Sequence, residues 1–478
     1  MNSELTRLKR MLILLNVSLS TFMATLDGSI VNNALPTIAG RLKVPITLIQ
    51  WVVTAYLLSI AVLLPVWGKL SDLYGKKKIF MFGFFGFTIG SALCGFSHTL
   101  LLLVLARVLQ AVGASAMMGL GQGIITAIFP PEQRGRALGI TGTMVALGSL
   151  TGPSLGGILV STVGWPSIFF INVPIGVVGV VLTFFIMPEI SERQADRRFD
   201  FGGTALFSAA VLLLFIGLLL LQAGLLPMLV FVVMLVLSAV CVAAFIAVEG
   251  RTQNPLIRLQ LFKIHEFSFG LASAYLAFIA SNATLYFLPF YLQDILGLSP
   301  LQAGLLISFF PISTLVVAPI SGWLSDKISY RPLTIAGMGL STVVLLLFTT
   351  LNKSSPHAVI ALFTALYGIG TALFQSPNNS SVMGSVPKHQ LGIAGSINAL
   401  FRNLGMVSGT AFSVLLFSFV THLGINALSQ GTGTMEVPIF LRGLHGVFIM
   451  CAVCTFLAAL LSLTRAVVIR PVKSESAQ

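Results

Sequence analysis

Two stretches of this chain repeat each other. "GKLSDLYGKKK" at residues 68–78 and "GWLSDKISYRP" at residues 322–332 share G-x-L-S-D at an offset of 254. A second pair, "GITGTMVAL" at 139–147 and "GIAGSINAL" at 392–400, shares five of nine residues at an offset of 253. Two independent matches at nearly one offset indicate internal duplication, so the fold is built from two copies of one unit.

Composition says what kind of unit. Of 478 residues, 56% are hydrophobic and only 9% charged, with mean hydropathy +0.98. Soluble domains carry roughly 25% charged residues. The deficit, with apolar runs of about twenty residues recurring along the chain, marks an all-α integral membrane protein and excludes a soluble enzyme. Runs of spanning length begin near Met11, Leu48, Ile79, Leu100, Arg136, Pro166, Phe201, Leu225, Phe267, Leu301, Leu333, Pro356, Leu391 and Gly443, fourteen in all. The repeat then divides the chain. Residues 1–188 form a six-helix bundle, 189–250 a charged linker with spans 7 and 8, 251–470 a second six-helix bundle, and 471–478 a tail. The basic, apolar N-terminus reads as a retained first span, since its apolar run outlasts a signal peptide and lacks a clear cleavage site.

Lysine and arginine set the orientation. Counting alternate connections, 21 basic residues fall on the side of the termini and 4 on the other, with Arg107 and Arg402 inside spans. A 21:4 split places both termini in the cytoplasm and the chain in the cell membrane. The net charge of +13 is therefore a topology signal, and no nucleic-acid partner is expected. Cys451 and Cys454 form a C-x-x-C inside an apolar span with no His or acid beside it. They read as packing residues, and neither a metal nor a cofactor is expected.

Against this background one carboxylate stands out. Asp27 lies inside "STFMATLDGSIVNNALPTIAG", residues 20–40, within span 1. An ionisable residue within a span is costly and marks function by default; here it can load and release a proton. At ~1.5 Å per residue it sits roughly 24 Å along span 1, and Arg107 about 10 Å down span 4 from the other side. Their depths match, so a proton-coupling pair is geometrically possible.

Other patterns point to gating and to a cavity. In the loop motif, Gly68 and Gly75 permit close approach and a tight turn. Asp72 can cap a helix start or pair across helices, and Lys76 sits at the headgroups. Asp326 is the counterpart of Asp72 in the second copy. Gly148, Gly152 and Gly156 recur every four residues in span 5, forming a smooth stripe, with Pro153 to kink the path and Gly157 beside it. Such a stripe also serves in plain helix dimers. Asn282 and Tyr286 in span 9, with Tyr367, Phe374, Gln375 and Asn378 in span 12, group polar and aromatic side chains on helix faces, as in a substrate cavity. Arg402 lies mid-span. One interior carboxylate against two guanidinium groups disfavours dicationic substrates.

Over essentially its whole length the chain resembles the fourteen-span drug:proton antiporter family of the major facilitator superfamily. The resemblance is carried by "LDGSIVNNALP", "GKLSDLYGKKK", "LARVLQAVGASA" at 105–116 and "GSLTGPSLGG" at 148–157, with "FFINVPIG" at 169–176 and "NPLIRLQLF" at 254–262. Ala111 stands where that family usually has Gly, Pro166 follows Trp165 where Arg is common, and the second loop motif lacks the later glycine and basic run. The resemblance implies two six-helix bundles plus two inserted helices, a loop-motif latch that stabilises the outward-open state, a gate between the bundles at 148–157, and proton-coupled efflux of small amphipathic compounds by alternating access. The expected partners are substrate, protons and lipid, and the expected state is a monomer. Export of one dedicated metabolite or lipid-like molecule is the alternative within transport; a non-transporting sensor or scaffold is the alternative outside it.

Overall fold

A computed structural model describes residues 6–44, 46–49, 51–189, 199–222, 226–252, 254–421 and 437–465. Six long helices make the first bundle: α1 (Arg7–Leu42), α2 (Trp51–Tyr74), α3 (Lys76–Gly95), α4 (Leu100–Ile128), α5 (Arg134–Thr162) and α6 (Asn172–Ile186). Two follow as a hairpin, α7 (Phe201–Gln222) and α8 (Met228–Glu249). The second bundle comprises α9 (His265–Phe290), α10 (Phe309–Ile328), α11 (Tyr330–Phe348), α12 (His357–Gly384), α13 (Leu391–Thr421) and α14 (Val437–Leu463). Among the described residues thirteen helices are long and apolar enough to cross a membrane, and α5, bent by 40° between Gly152 and Ser154, makes the fourteenth. The tail at 471–478 and most of the charged linker lie outside the described residues.

Local chemistry sets where these helices begin. The Thr99 side chain accepts from the Leu102 amide at the start of α4. Before α10, Ser299 and Gln302 form a reciprocal capping box on the short helix Pro300–Ile307. The α2–α3 corner is a single residue, Gly75, at φ 98° and ψ 140°. Its repeat mate is Ser329, which joins α10 to α11 at φ 86° and ψ 157°. The second copy lost the glycine but kept the turn, leaving a serine in a region nearly reserved for glycine.

Within the first bundle α1 packs on α5 and α6, and α4 on α2 and α3; in the second, α9 packs on α13 and α14, and α12 on α10 and α11. The bundles meet along α5–α10, α2–α13 and α4–α13. The inserted hairpin is not a remote appendage, because α7 lies against both α2 and α13. Its partner α8 turns Leu229, Val233, Val236 and Val240 outward, as a lipid-facing helix must.

Candidate proton site and gate

Asp27 is fully buried, on the side of α1 that faces the bundle interior. Its Oδ2 accepts from Arg107 Nη1 of α4 at 2.6 Å. Its Oδ1 accepts from Gln110 Nε2 and from Asn172 Nδ2, each at 2.9 Å. Arg107 also donates through Nε to the Val52 carbonyl at 3.2 Å and through Nη1 to Gln110 Oε1 at 2.7 Å. The Tyr56 ring lies 3.9 Å from the guanidinium carbon, and Gln110 reaches on to Ser91 Oγ at 2.7 Å. Five helices, α1, α2, α3, α4 and α6, thus contribute to one sealed polar cluster.

A buried ion pair costs desolvation on both partners and is tolerable only when the remaining polar atoms are bonded. Here the carboxylate is saturated by three donors. Arg107 Nη2 and the Tyr56 hydroxyl remain buried without a partner among the described residues. The site therefore keeps spare donor capacity for a rearranged state. Asp27 and Arg107 meet directly. Gln110 and Asn172, which complete the cluster, were not singled out from sequence, although both lie inside the motifs at 105–116 and 169–176. The readable signal was a glutamine one turn beyond Arg107 in the apolar first half of the helix.

A second set of contacts closes the end of the molecule that carries the basic loops. Asp72, at the end of α2, accepts from the amides of Gly392 and Ile393 at the start of α13, both at 3.1 Å. Asp326, at the end of α10, accepts from the amides of Gly135 and Arg136 at the start of α5, at 2.9 and 3.0 Å. Each bundle clamps a helix N-terminus of the other, where the helix dipole and free amides favour a carboxylate. The donor turn on α5 lies one helical turn earlier than the repeat would place it. Lys76 Nζ sits 3.2 Å from Asp72 and is buried with it. Gly68 allows the approach: a Cβ there would stand 2.7 Å from Ser396 Oγ and 2.9 Å from Ile393 Cα. Thr143 adds a bond to the Leu315 carbonyl, Ser376 one to the Gly135 carbonyl, and Asn398 one to Gln122. All these bundle-to-bundle bonds lie in the basic half.

The structure corrects two sequence expectations. Gly148, Gly152 and Gly156 do not lie between the bundles. Cβ atoms there would meet Thr25, Ser29 and Ile30 of α1, so the stripe seats α5 against α1 within one bundle. A Cβ on Gly157 would meet nothing within 4 Å. The stretch of α5 that does touch the other bundle begins earlier, at Gly135 and Gly139, facing Gly322 and Ala318. The backbone at Pro153 lies in the 40° bend.

Nor do the expected cavity residues converge. Tyr367 is buried and its hydroxyl bonds Ser281 Oγ at 3.3 Å. Phe374 is buried with Met338 and Ala458 in a small core between helices. Asn378 donates to the Gly270 carbonyl at 3.1 Å and accepts from Arg465 Nη1 at 2.6 Å, making it a brace at the end of α14. Asn282 staples α9 to α13 through the Met406 carbonyl and Thr410. These positions are inward, as their periodicity implied, but they are spent on packing. Tyr286 is 36% exposed. Gln375 and Arg402 are half-buried, and Arg402 has no hydrogen-bond or ion-pair partner among the described residues.

Comparison with known proteins accords with this architecture. The Major Facilitator Superfamily model matches residues 17–410 and, in a second match, 270–478. The riboflavin transporter RibZ of Clostridioides difficile is 36% identical over 415 residues, 86% of this chain and 89% of that protein. The multidrug transporter protein MdtP of Bacillus subtilis is 30% identical over 412 residues, 86% of this chain and 75% of its own. In fold, the human organic anion transporter MFSD10 superposes with TM-score 0.67 at 16% identity, covering 95% of this chain and 99% of that one. A transporter and not an enzyme, this multi-pass membrane protein belongs to the major facilitator superfamily.

Proposed function

We propose that this protein exports small amphipathic molecules across the cell membrane in exchange for protons, with its basic end and both termini in the cytoplasm. The observation that carries the reading is the sealed Asp27–Arg107 pair, 2.6 Å apart, in a molecule whose basic end is clamped shut. In that arrangement the cytoplasmic route is closed and Asp27 awaits a proton from outside. Protonation removes the charge that holds Arg107, and the guanidinium falls back on Gln110, the Val52 carbonyl and the Tyr56 hydroxyl. That repacking shifts α1 against α4 and α6. The clamps at Asp72 and Asp326 release, substrate enters from the cytoplasm or inner leaflet, and the proton leaves inward as the pair re-forms. Lipid surrounds the chain, one molecule is the working unit, and no nucleic acid takes part.

Arg402 supports the substrate side of this reading. An unpaired guanidinium deep in a span favours neutral, zwitterionic or anionic amphiphiles rich in acceptors, and disfavours dications. A second reading, export of one dedicated planar metabolite, draws support from the 36% identity to a riboflavin transporter. One experiment separates the two. Purified protein in proteoliposomes is given a pH gradient, and flux of riboflavin and of ethidium is followed with internal pH. Gradient-driven flux of both supports the multidrug reading, and flux of riboflavin alone supports the dedicated one. Asp27→Asn, and the charge-balanced Asp27→Asn/Arg107→Gln, should bind probe but lose gradient-driven flux. Wild-type flux in either variant would sink the proposal, and proton-free behaviour with every probe would favour a sensor.

A further inference from the structure

Away from the central cluster, the base of the α7–α8 hairpin carries a second concentration of buried charge. Asp200 precedes α7, and its Oδ1 accepts from the Gly203 amide at 2.8 Å. Glu249 ends α8, is 3% exposed, and accepts through Oε1 from the Leu256 amide at 3.1 Å. A Cβ built on Gly203 would collide with both Asp200 Oδ2 and Glu249 Oε1, so the two carboxylates flank one small space. Asp200 Oδ2 and Glu249 Oε2 are buried with no hydrogen-bond partner among the described residues. Two ionised carboxylates so placed repel each other, and each leaves a lone pair unsatisfied away from water. One proton taken up from water, held by one carboxyl and donated in a hydrogen bond to the other, relieves both.

The cation that could neutralise the pair is present but not engaged. Lys69, in the G-x-L-S-D motif of α2, is 5% exposed and makes no hydrogen bond or ion pair among the described residues. The charges that surround it are Arg258, Asp72, Glu249 and Asp200. Three residues along the same helix, Asp72 holds the start of α13. Since α7 also packs on both α2 and α13, the hairpin base borders the seam that must part when the basic end opens.

We propose that Asp200 and Glu249 form a second proton-binding site, whose shared proton decides whether Lys69 is left free or drawn to the hairpin. With the proton bound the pair carries one negative charge and Lys69 stays unpaired. When the proton passes to water at the basic face, the pair gains a second charge and the Lys69 ammonium moves into an ion pair with it. That contact ties α2 to the hairpin and holds the basic end shut. Closure thereby responds to pH at the basic face through groups separate from Asp27.

The test uses full-length protein in lipid nanodiscs carrying Asp27→Asn/Arg107→Gln, so that the central site cannot titrate. Infrared difference spectra between acidic and alkaline buffer should show a protonated-carboxyl band that Glu249→Gln removes. Asp200→Asn, which keeps the acceptor for the Gly203 amide and so the cap of α7, should remove it as well. Hydrogen exchange of residues 391–397, corrected for intrinsic rates, should slow about tenfold from acidic to alkaline pH, as expected for a gained charge-assisted bond. Lys69→Met should abolish that dependence. A band indifferent to both carboxyl substitutions, or a pH dependence that survives Lys69→Met, would overturn the proposal.

Discussion

The Asp27–Arg107 pair makes an asymmetric demand on stability. In Asp27→Asn the guanidinium stays fully buried and cannot shed its proton, with neutral acceptors alone to receive it: the Val52 carbonyl, Gln110 Oε1, the Tyr56 hydroxyl and the new amide oxygen. The new amide also brings its own donors into a space already pointed at by Gln110 and Asn172. In Arg107→Gln the carboxyl left behind can neutralise itself by taking a proton, and two donors still face it. Breaking a buried pair from one side costs about 3–5 kcal/mol when the remaining charge cannot relax. Asp27→Asn should carry that full cost. Arg107→Gln should lose only the bonds made by the guanidinium, about 1.5–3 kcal/mol. The double variant, with no charge left in the cluster, should recover most of the loss, a coupling measurable by a double-mutant cycle. Thermal and chemical unfolding in detergent micelles at neutral pH would read all three. If Arg107→Gln is as damaging as Asp27→Asn, or the double variant no better than Asp27→Asn, the cluster is not the charge-balanced unit described above.

Three further outcomes follow from the geometry. Asp72→Asn should loosen the start of α13 and Asp326→Asn the start of α5, each by about 1–2 kcal/mol, read as faster hydrogen exchange of residues 391–397 and 134–140 respectively; if each variant perturbs only its own bundle, the clamps are not reciprocal. Ser329→Gly should raise the unfolding temperature by relieving a backbone strain worth about 1–3 kcal/mol, while Gly75→Ser lowers it. Asn378→Leu should destabilise the protein by about 1.5–3 kcal/mol through the lost Arg465 bond, with probe affinity in proteoliposomes unchanged; weakened binding at unchanged stability would return Asn378 to the cavity.

The repeat, the span count and the depth of Asp27 were legible because each depends on the chain alone. Periodicity of glycines in α5 likewise showed a close helix approach. It could not say that the neighbour is α1, because a smooth stripe carries no address. The same limit applies to Asn378 and Tyr367, whose spacing says "not lipid" without distinguishing a cavity wall from a helix brace. Gln110 and Asn172 escaped notice for another reason. Neither is charged, so neither raised the alarm that Asp27 did, and their role exists only once five helices are assembled around them. Asp326 was visible as a repeated letter, but its receiving amides come from the other bundle, nearly two hundred residues away. The lost glycine of the second loop motif was read as a departure, whereas the backbone kept its turn and moved the cost onto Ser329.

The two clamps share one further property. Their acceptors are side chains, but their donors are main-chain amides at Gly135, Arg136, Gly392 and Ile393. A main-chain donor survives every substitution except proline. Exposed Arg136 can therefore change its side chain without dissolving the latch. A Cβ on Gly135 would stand 2.7 Å from the very carboxylate its amide must reach, one on Gly392 would stand closer still to its own, and each aspartate offers a single point of failure. Mutational tolerance at this gate should be lopsided: broad at Arg136, narrow at the two glycines and at the two carboxylates that reach them.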